Sequence, residues 1–216
     1  MKTSVAVLLS LVILASAAPP DLRVWRDDQG RKLVAELIET GAGWIKVKRA
    51  DGHKFTLTLD KLSQEDRDWV KEREAQLQKE ALAAKRAVEV PAKILAYCKE
   101  QSGKQVGNGE CWTLADECFK SCGLHRPKGQ GRVWGRQIDF PKEQPQPGDI
   151  VEYRSAKFSN GSMTGPEHTA IVIGRGKKKG VVMIAEQNWG GVKKVHECEM
   201  DPGALVSGEI MFYRPE

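Results

Sequence analysis

The residues of this chain best equipped for chemistry are one cysteine, one histidine and a short acidic and amide run, all far apart in sequence. Cys111 follows the glycine-rich stretch 103–109, and Cys111, Leu114, Ala115, Cys118 and Cys122 recur at i, i+3, i+4, i+7 and i+11. That spacing predicts a helix with Cys111 in its first turn and Gly123 at its end. Unpaired amides and the helix dipole favour a thiolate there, which is the nucleophilic form of the side chain. A cysteine nucleophile also needs a base held by a third group. His168 opens a predicted strand at 169–173, and a turn at 174–180 leads into a second strand at 181–187. A hairpin centred on Lys177 sets His168 opposite Glu186. Asn188 then shares that face and Gln187 does not. Either Glu186 or Asn188 can orient the histidine, and Gln105, upstream of the thiol, can reach toward an oxyanion alongside the Cys111 amide.

The same residues also fit a plainer reading, with Cys111 a buried apolar residue, His168 a surface residue at a strand end and Gln105 a loop glutamine in water. The five cysteines, at 98, 111, 118, 122 and 198, show no CxxC spacing, so nothing points to a structural zinc site or a thioredoxin-type pair, and no metal or cofactor is expected. Cys118 and Cys122 fall on one helix face and read as a buried apolar stripe. His53, His125 and His196 have no comparable context.

The elements that must position these groups belong to an ordinary globular chain. It has 216 residues and 24.0 kDa, with 40% hydrophobic and 29% charged residues and a net charge of +5, which excludes intrinsic disorder. Twenty-one glycines and ten prolines without a three-residue period exclude collagen. The charge excess is too small to imply nucleic acid, and Lys177, Lys178 and Lys179 read as a solvated turn. Residues 1–17 have the form of a signal peptide: the basic pair Met1-Lys2, an apolar core at 5–15 and the small-residue site Ala15-Ser16-Ala17. A secreted or periplasmic protein with no membrane span after cleavage is therefore expected, an oxidising setting in which an odd cysteine count implies a free thiol or an intermolecular bridge.

Three parts follow. In the first, residues 18–70, the stretch 22–59 alternates with period two, so that Val24, Leu33, Ala35, Leu37, Ile45, Val47, Phe55, Leu57 and Leu59 can face one core, with turns at 28–30, 40–43 and Asp51-Gly52. Four short antiparallel strands are expected, then a helix capped by Ser63 and packed through Trp69 and Val70. Residues 71–91 form a linker in which 71–86 is Lys/Glu/Ala/Gln-rich and helical, with Pro91 as a boundary. Residues 92–216 begin with a helix at 92–100 carrying Ile94, Leu95 and Cys98 and hold all the candidate catalytic groups.

Arg23-Val24-Trp25-Arg26-Asp27, Gly43-Trp44-Ile45-Lys46-Val47, Ala50-Asp51-Gly52-His53 and Leu59-Asp60-Lys61-Leu62-Ser63 followed by Asp66 resemble the SLA1 homology domain 1, or SHD1. The resemblance implies an SH3-like small barrel that binds proteins or peptides. Gly109-Glu110-Cys111-Trp112, Pro147-Gly148-Asp149-Ile150-Val151, His168-Thr169-Ala170-Ile171-Val172 and Glu186-Gln187-Asn188-Trp189-Gly190 resemble the CHAP and related papain-like peptidases and amidases. With Val133-Trp134-Gly135 and Phe212-Tyr213-Arg214-Pro215, the whole module is similar to the cysteine-proteinase-like C-terminal domain of fungal actin-patch myosin-tail-interacting proteins. These resemblances imply an α+β fold, an SH3-like barrel, a helical linker and a papain-like domain. They assign Cys111 as nucleophile, His168 as base and Glu186 or Asn188 as orienter, acting on an amide bond of a peptide or of peptidoglycan. Two rivals remain: an inert scaffold in which both modules bind partners, and acyl transfer to an acceptor other than water.

Overall fold

A computed structural model describes residues 21–129 and 131–216, and the expected signal peptide lies outside the described residues. The chain divides into two compact units, residues 1–80 and 81–216.

In the first unit, β1 (Leu22–Arg26), β2 (Lys32–Gly41), β3 (Trp44–Lys48) and β4 (Lys54–Thr58) form one antiparallel sheet in sequential order. The turn residues act as their chemistry requires: Asp27 Oδ1 accepts from the Gln29 and Arg31 amides, and Gly52 has φ 88° in the β3–β4 turn. Helix α1 (Gln64–Gln101) starts where expected. Ser63 Oγ accepts from the Asp66 amide at 3.2 Å and donates to the Asp66 carboxylate at 3.0 Å. Asp66 is buried, paired with the Arg23 guanidinium and accepting from the Arg26 amide at 2.6 Å.

The core of this unit is Trp25, Ala35, Ile45, Val47, Leu62 and Val70, with Leu33, Leu37, Leu57, Leu59 and Trp69 packed around it. Two of the expected core residues are exposed. Val24 pairs with Val34 on the outer face because Trp25 pairs with Leu33 on the inner one, and a one-residue change of parity reverses the facing of a strand. Phe55 lies on the edge strand β4 and is likewise exposed. Trp25 is the larger side chain to bury. Its Nε1 donates to the Ala35 carbonyl at 2.9 Å and its ring meets Trp69 edge-on at 5.4 Å. Trp25→Ala is expected to cost about 3–5 kcal/mol. Hydrogen exchange of the full chain should show β1–β4 amides losing protection while those near Cys111 keep theirs.

Pro91 is inside α1, where the sequence predicts a boundary between two helices. The carbonyl that loses its partner belongs to Ala87, which is exposed and can bond water, so the helix continues. Within the second unit Pro91 also packs on Gly148. That glycine has φ 96°, and a Cβ there would stand 3.0 Å from Pro91 Cα.

The second unit contains α2 (Cys111–Cys122) and the strands β5 (Arg136–Gln137), β6 (Ile150–Phe158), β7 (Glu167–Arg175), β8 (Val182–Glu186), β9 (His196–Met200) and β10 (Leu205–Arg214). They make an antiparallel sheet in the order β5-β10-β6-β7-β8-β9. Gly123 ends α2 in the left-handed conformation, as expected. One face of the sheet, through Ile150, Ile171 and Ala185, packs with Ile94, Cys98, Leu114, Ala115, Cys118 and Phe119 of the helices. Side chains alternate, so Val151, Ala170, Val172 and Ile184 build a second core on the opposite face. Cys118 is buried in the helix-side stripe with Cys122 half-buried beside it, and all five cysteines are free thiols. No helix among the described residues is long and apolar enough to cross a membrane.

A candidate cysteine-histidine-glutamate site

Cys111 is the first residue of α2 and is 7% exposed. Helix α2 packs on β7, and the second residue of that strand is His168, also buried. Cys111 and His168 line one depression, and the His168 ring and the Thr169 amide are among the neighbours that lower the Cys111 thiol. His168 Nε2 lies 2.7 Å from Glu186 Oε2. With Nε2 engaged there, Nδ1 is the ring nitrogen left for the thiol. Trp189 meets the imidazole edge-on at 5.3 Å and Tyr153 flanks it at 5.7 Å, which limits rotation of the ring and its access to water.

The hairpin register differs from expectation by two residues. Glu186 pairs with Ala170 rather than His168: the turn lies further along the chain than expected, so that Arg175 pairs with Val182, and a bulge between Val172 and Gly174 takes back one residue of that offset. A two-residue shift preserves facing, so His168 and Glu186 remain on one side of the sheet and meet diagonally. The carboxylate that meets the His168 ring is that of Glu186. Asn188 has φ 63° and donates from Nδ2 to Glu110 Oε2 at 2.9 Å, so it borders the site without touching the ring. Gln105 is exposed, and its Nε2 donates to the Gly107 carbonyl at 3.5 Å. It does not line the depression around Cys111, where the sequence predicts that it meets an oxyanion.

Burial raises the Cys111 thiol, but the His168 ring, the Thr169 amide and the Arg132 guanidinium outweigh it, and the net displacement is below the ordinary thiol value. Burial depresses the His168 imidazolium, yet the neighbouring Cys111 and Glu186 side chains reverse this and lift it to about 9. The arrangement therefore favours a thiolate-imidazolium pair. It opens on a depression of about 370 Å³ lined by Trp112, Arg132, Gly165, Pro166 and Glu167 beside Cys111 and His168. Arg132 is held there by Glu167 at 2.8 Å and donates to Thr169 Oγ1 at 3.3 Å.

Three residues near this site carry no signal of their role in the sequence alone. Gln187 is fully buried and faces α2: its Oε1 accepts from the Val106 amide at 3.1 Å, and its Nε2 donates toward the Val106 and Glu110 carbonyls and Thr113 Oγ1 at 2.8–3.0 Å. It therefore ties the residue after Glu186 to the turn that carries Cys111. His196 and Cys198 lie on β9, whose pairing with β8 puts His196 opposite Glu186. The alternation His-x-Cys at 196–198 becomes informative only once β9 is known to neighbour β8.

A buried cysteine on a helix N-terminus, with a histidine and an acidic residue on an adjoining antiparallel sheet, defines a cysteine-proteinase-type domain. Residues 67–216 match the AIM3/BBC1 cysteine proteinase-fold domain, and the chain belongs to that family. Residues 15–77 match SLA1 homology domain 1, SHD1, so an SHD1 domain stands at the N-terminus. Altered inheritance of mitochondria protein 3 of Debaryomyces hansenii is 30% identical over 147 residues, which is 56% of this chain and 15% of that protein. Among solved structures, Ly7917 is similar at 18% identity and TM-score 0.40, over 57% of this chain and 62% of that one. An NlpC/P60 family protein from Bacillus cereus ATCC 10987 is similar at 14% identity and TM-score 0.36, over 90% of this chain and 61% of that one.

Proposed function

We propose that this chain is an exported cysteine peptidase or amidase that hydrolyses amide bonds of peptides or of peptidoglycan stems, with its SHD1 domain binding a protein or peptide partner. The observation that carries the reading is the convergence of Cys111 and His168 on one depression, with His168 Nε2 held 2.7 Å from Glu186 Oε2. The Cys111 thiolate attacks the carbonyl carbon, and the oxyanion is met by the Cys111 amide, which as a first-turn donor has no intrahelical acceptor. His168 passes its proton to the leaving amine as the C–N bond breaks, leaving a thioester. It then takes a proton from water, which attacks the thioester, releases the acid and returns the thiolate. Export is supported by residues 1–17 alone.

The test is alkylation by iodoacetamide as a function of pH, in chelator-treated full-length protein with the modified cysteine identified by mass spectrometry. Cys111 is expected to react first of the five, with its half-maximal rate below the ordinary thiol value of about 8.5. His168→Ala is expected to slow reaction at pH 7 on the order of tenfold. An ordinary thiol profile that His168→Ala leaves unchanged would instead favour a scaffold. The histidine also sets the alkaline limit of turnover. Its folded value, about 9, lies above the unfolded value of 6.5, so its contribution to stability is complete below 6.5 and is lost as pH rises through about 9. The proton for the leaving group disappears over the same interval.

A further inference from the structure

β9 runs antiparallel to β8, with Glu186 paired to His196 and Ile184 paired to Cys198. Paired residues share a face and so do residues two apart, so one glutamate on β8 and the His-x-Cys of β9 converge on the same side of the sheet. His196 Nε2 lies 3.2 Å from Glu186 Oε1, and Cys198 Sγ lies 3.3 Å from the same oxygen. The three atoms all fall within 4.8 Å of one another, the one such group among the described residues.

We propose that Glu186, His196 and Cys198 form a Zn²⁺ site beside the Cys111–His168 pair, with a fourth coordination position open to solvent. Tetrahedral zinc bound at about 2.0–2.3 Å holds its ligand atoms roughly 3.5 Å apart, close to the two separations found here. The donor set of imidazole, thiolate and carboxylate suits zinc, whereas calcium and magnesium take oxygen ligands. Thiolate and carboxylate together balance the two positive charges of the ion. The three ligands line a pocket of about 470 Å³ together with Tyr153, Trp189 and Glu199, which gives a fourth ligand from solvent a route to the ion. The two oxygens of Glu186 divide between the neighbouring groups, since Oε2 bonds His168 and Oε1 is directed at His196 and Cys198. Coordination replaces the Cys198 S–H bond with an S–Zn bond and releases one proton to solvent, with no change of oxidation state. Pair spacing along a single segment could not reveal this site, because its ligands come from neighbouring strands.

The experiment loads the full chain with Zn²⁺, desalts it and measures bound metal by mass spectrometry, with Co²⁺ as a spectroscopic probe. One equivalent is expected in the wild type, in Cys111→Ala and in Cys122→Ser. Affinity is expected to fall at least about tenfold in Cys198→Ser and in His196→Ala, the latter at a partly exposed position. Co²⁺ should give a thiolate-to-metal charge-transfer band in the wild type and in Cys111→Ala, and none in Cys198→Ser. The proposal fails if the wild type holds no stoichiometric metal, or if its Co²⁺ complex lacks that band. Loss of the metal in Cys111→Ala with retention in Cys198→Ser would also overturn it, by assigning the ion to the Cys111–His168 pair. Because the readout is metal content and spectrum, its failure is distinct from absence of hydrolysis.

Discussion

Glu186→Ala is expected to reduce Cys111-dependent amide hydrolysis about 10²–10⁴-fold in chelator-treated protein. The carboxylate does two things for His168. It fixes the ring by the 2.7 Å bond at Nε2, which leaves Nδ1 toward the thiol, and its bond and charge help lift the imidazolium to about 9. Alanine removes both, and the ring then lies between Tyr153 and Trp189 without a directional partner. Glu186→Gln separates the two effects. An amide oxygen can still accept the Nε2–H, so orientation survives and only the charge is lost, for a fall of roughly 10–100-fold. The alkaline limb of the rate profile should move to lower pH in both variants, a displacement that mere loosening of the fold would not produce. Equal rates in Glu186→Ala and the wild type would remove Glu186 from the mechanism, and loss of alkylation and hydrolysis together in Cys111→Ala completes the assignment.

Gln187→Leu is expected to destabilise the protein by about 2–4 kcal/mol, read as a fall in denaturant midpoint without a change of slope. Leucine fills similar volume but strands the buried Val106 amide, whose acceptor is Gln187 Oε1. The Val106 and Glu110 carbonyls fare better, since the Gly109 amide donates to the first and the Thr113 amide to the second, each at 3.0 Å. Gln187→Glu keeps the acceptor and places a carboxylate among three acceptor oxygens, so it should destabilise as well. Both changes release the first turn of α2 from the strand that presents Glu186, so Cys111 alkylation at pH 7 should slow in whatever fraction remains folded. A Gln187→Leu variant with unaltered stability and unaltered Cys111 reactivity would show that this amide does not hold the two elements together.

The parts of the site that were legible in the sequence are those set by local periodicity. The i, i+3, i+4, i+7 spacing from Cys111 determined a helix with the thiol in its first turn, and Gly123 determined where it stops. Ser63 marked the start of α1, and alternation placed His168 and Glu186 on one face of a hairpin despite a register wrong by two, because facing depends only on whether the shift is even. The same logic failed at Trp25, where either parity of a five-residue strand was consistent with alternation and the volume of the core decided between them.

What only the tertiary structure decided depends on contacts between distant segments. The bulge after Val172 left the register offset even, which keeps His168 and Glu186 on one face, the turn of Asn188 toward Glu110 left Glu186 as the partner of the ring, and the fold of the 103–109 loop left Gln105 in solvent. Gln187, on the opposite face of the strand, became the tie to α2 because Val106, Glu110 and Thr113 bring their backbone and hydroxyl groups to it across more than seventy residues. His196 and Cys198 joined Glu186 because β9 pairs beside β8. A side-chain period records which way each residue faces along its own strand or helix. Which other element it meets is fixed by burial of the shared core, and that is a property of the whole folded domain.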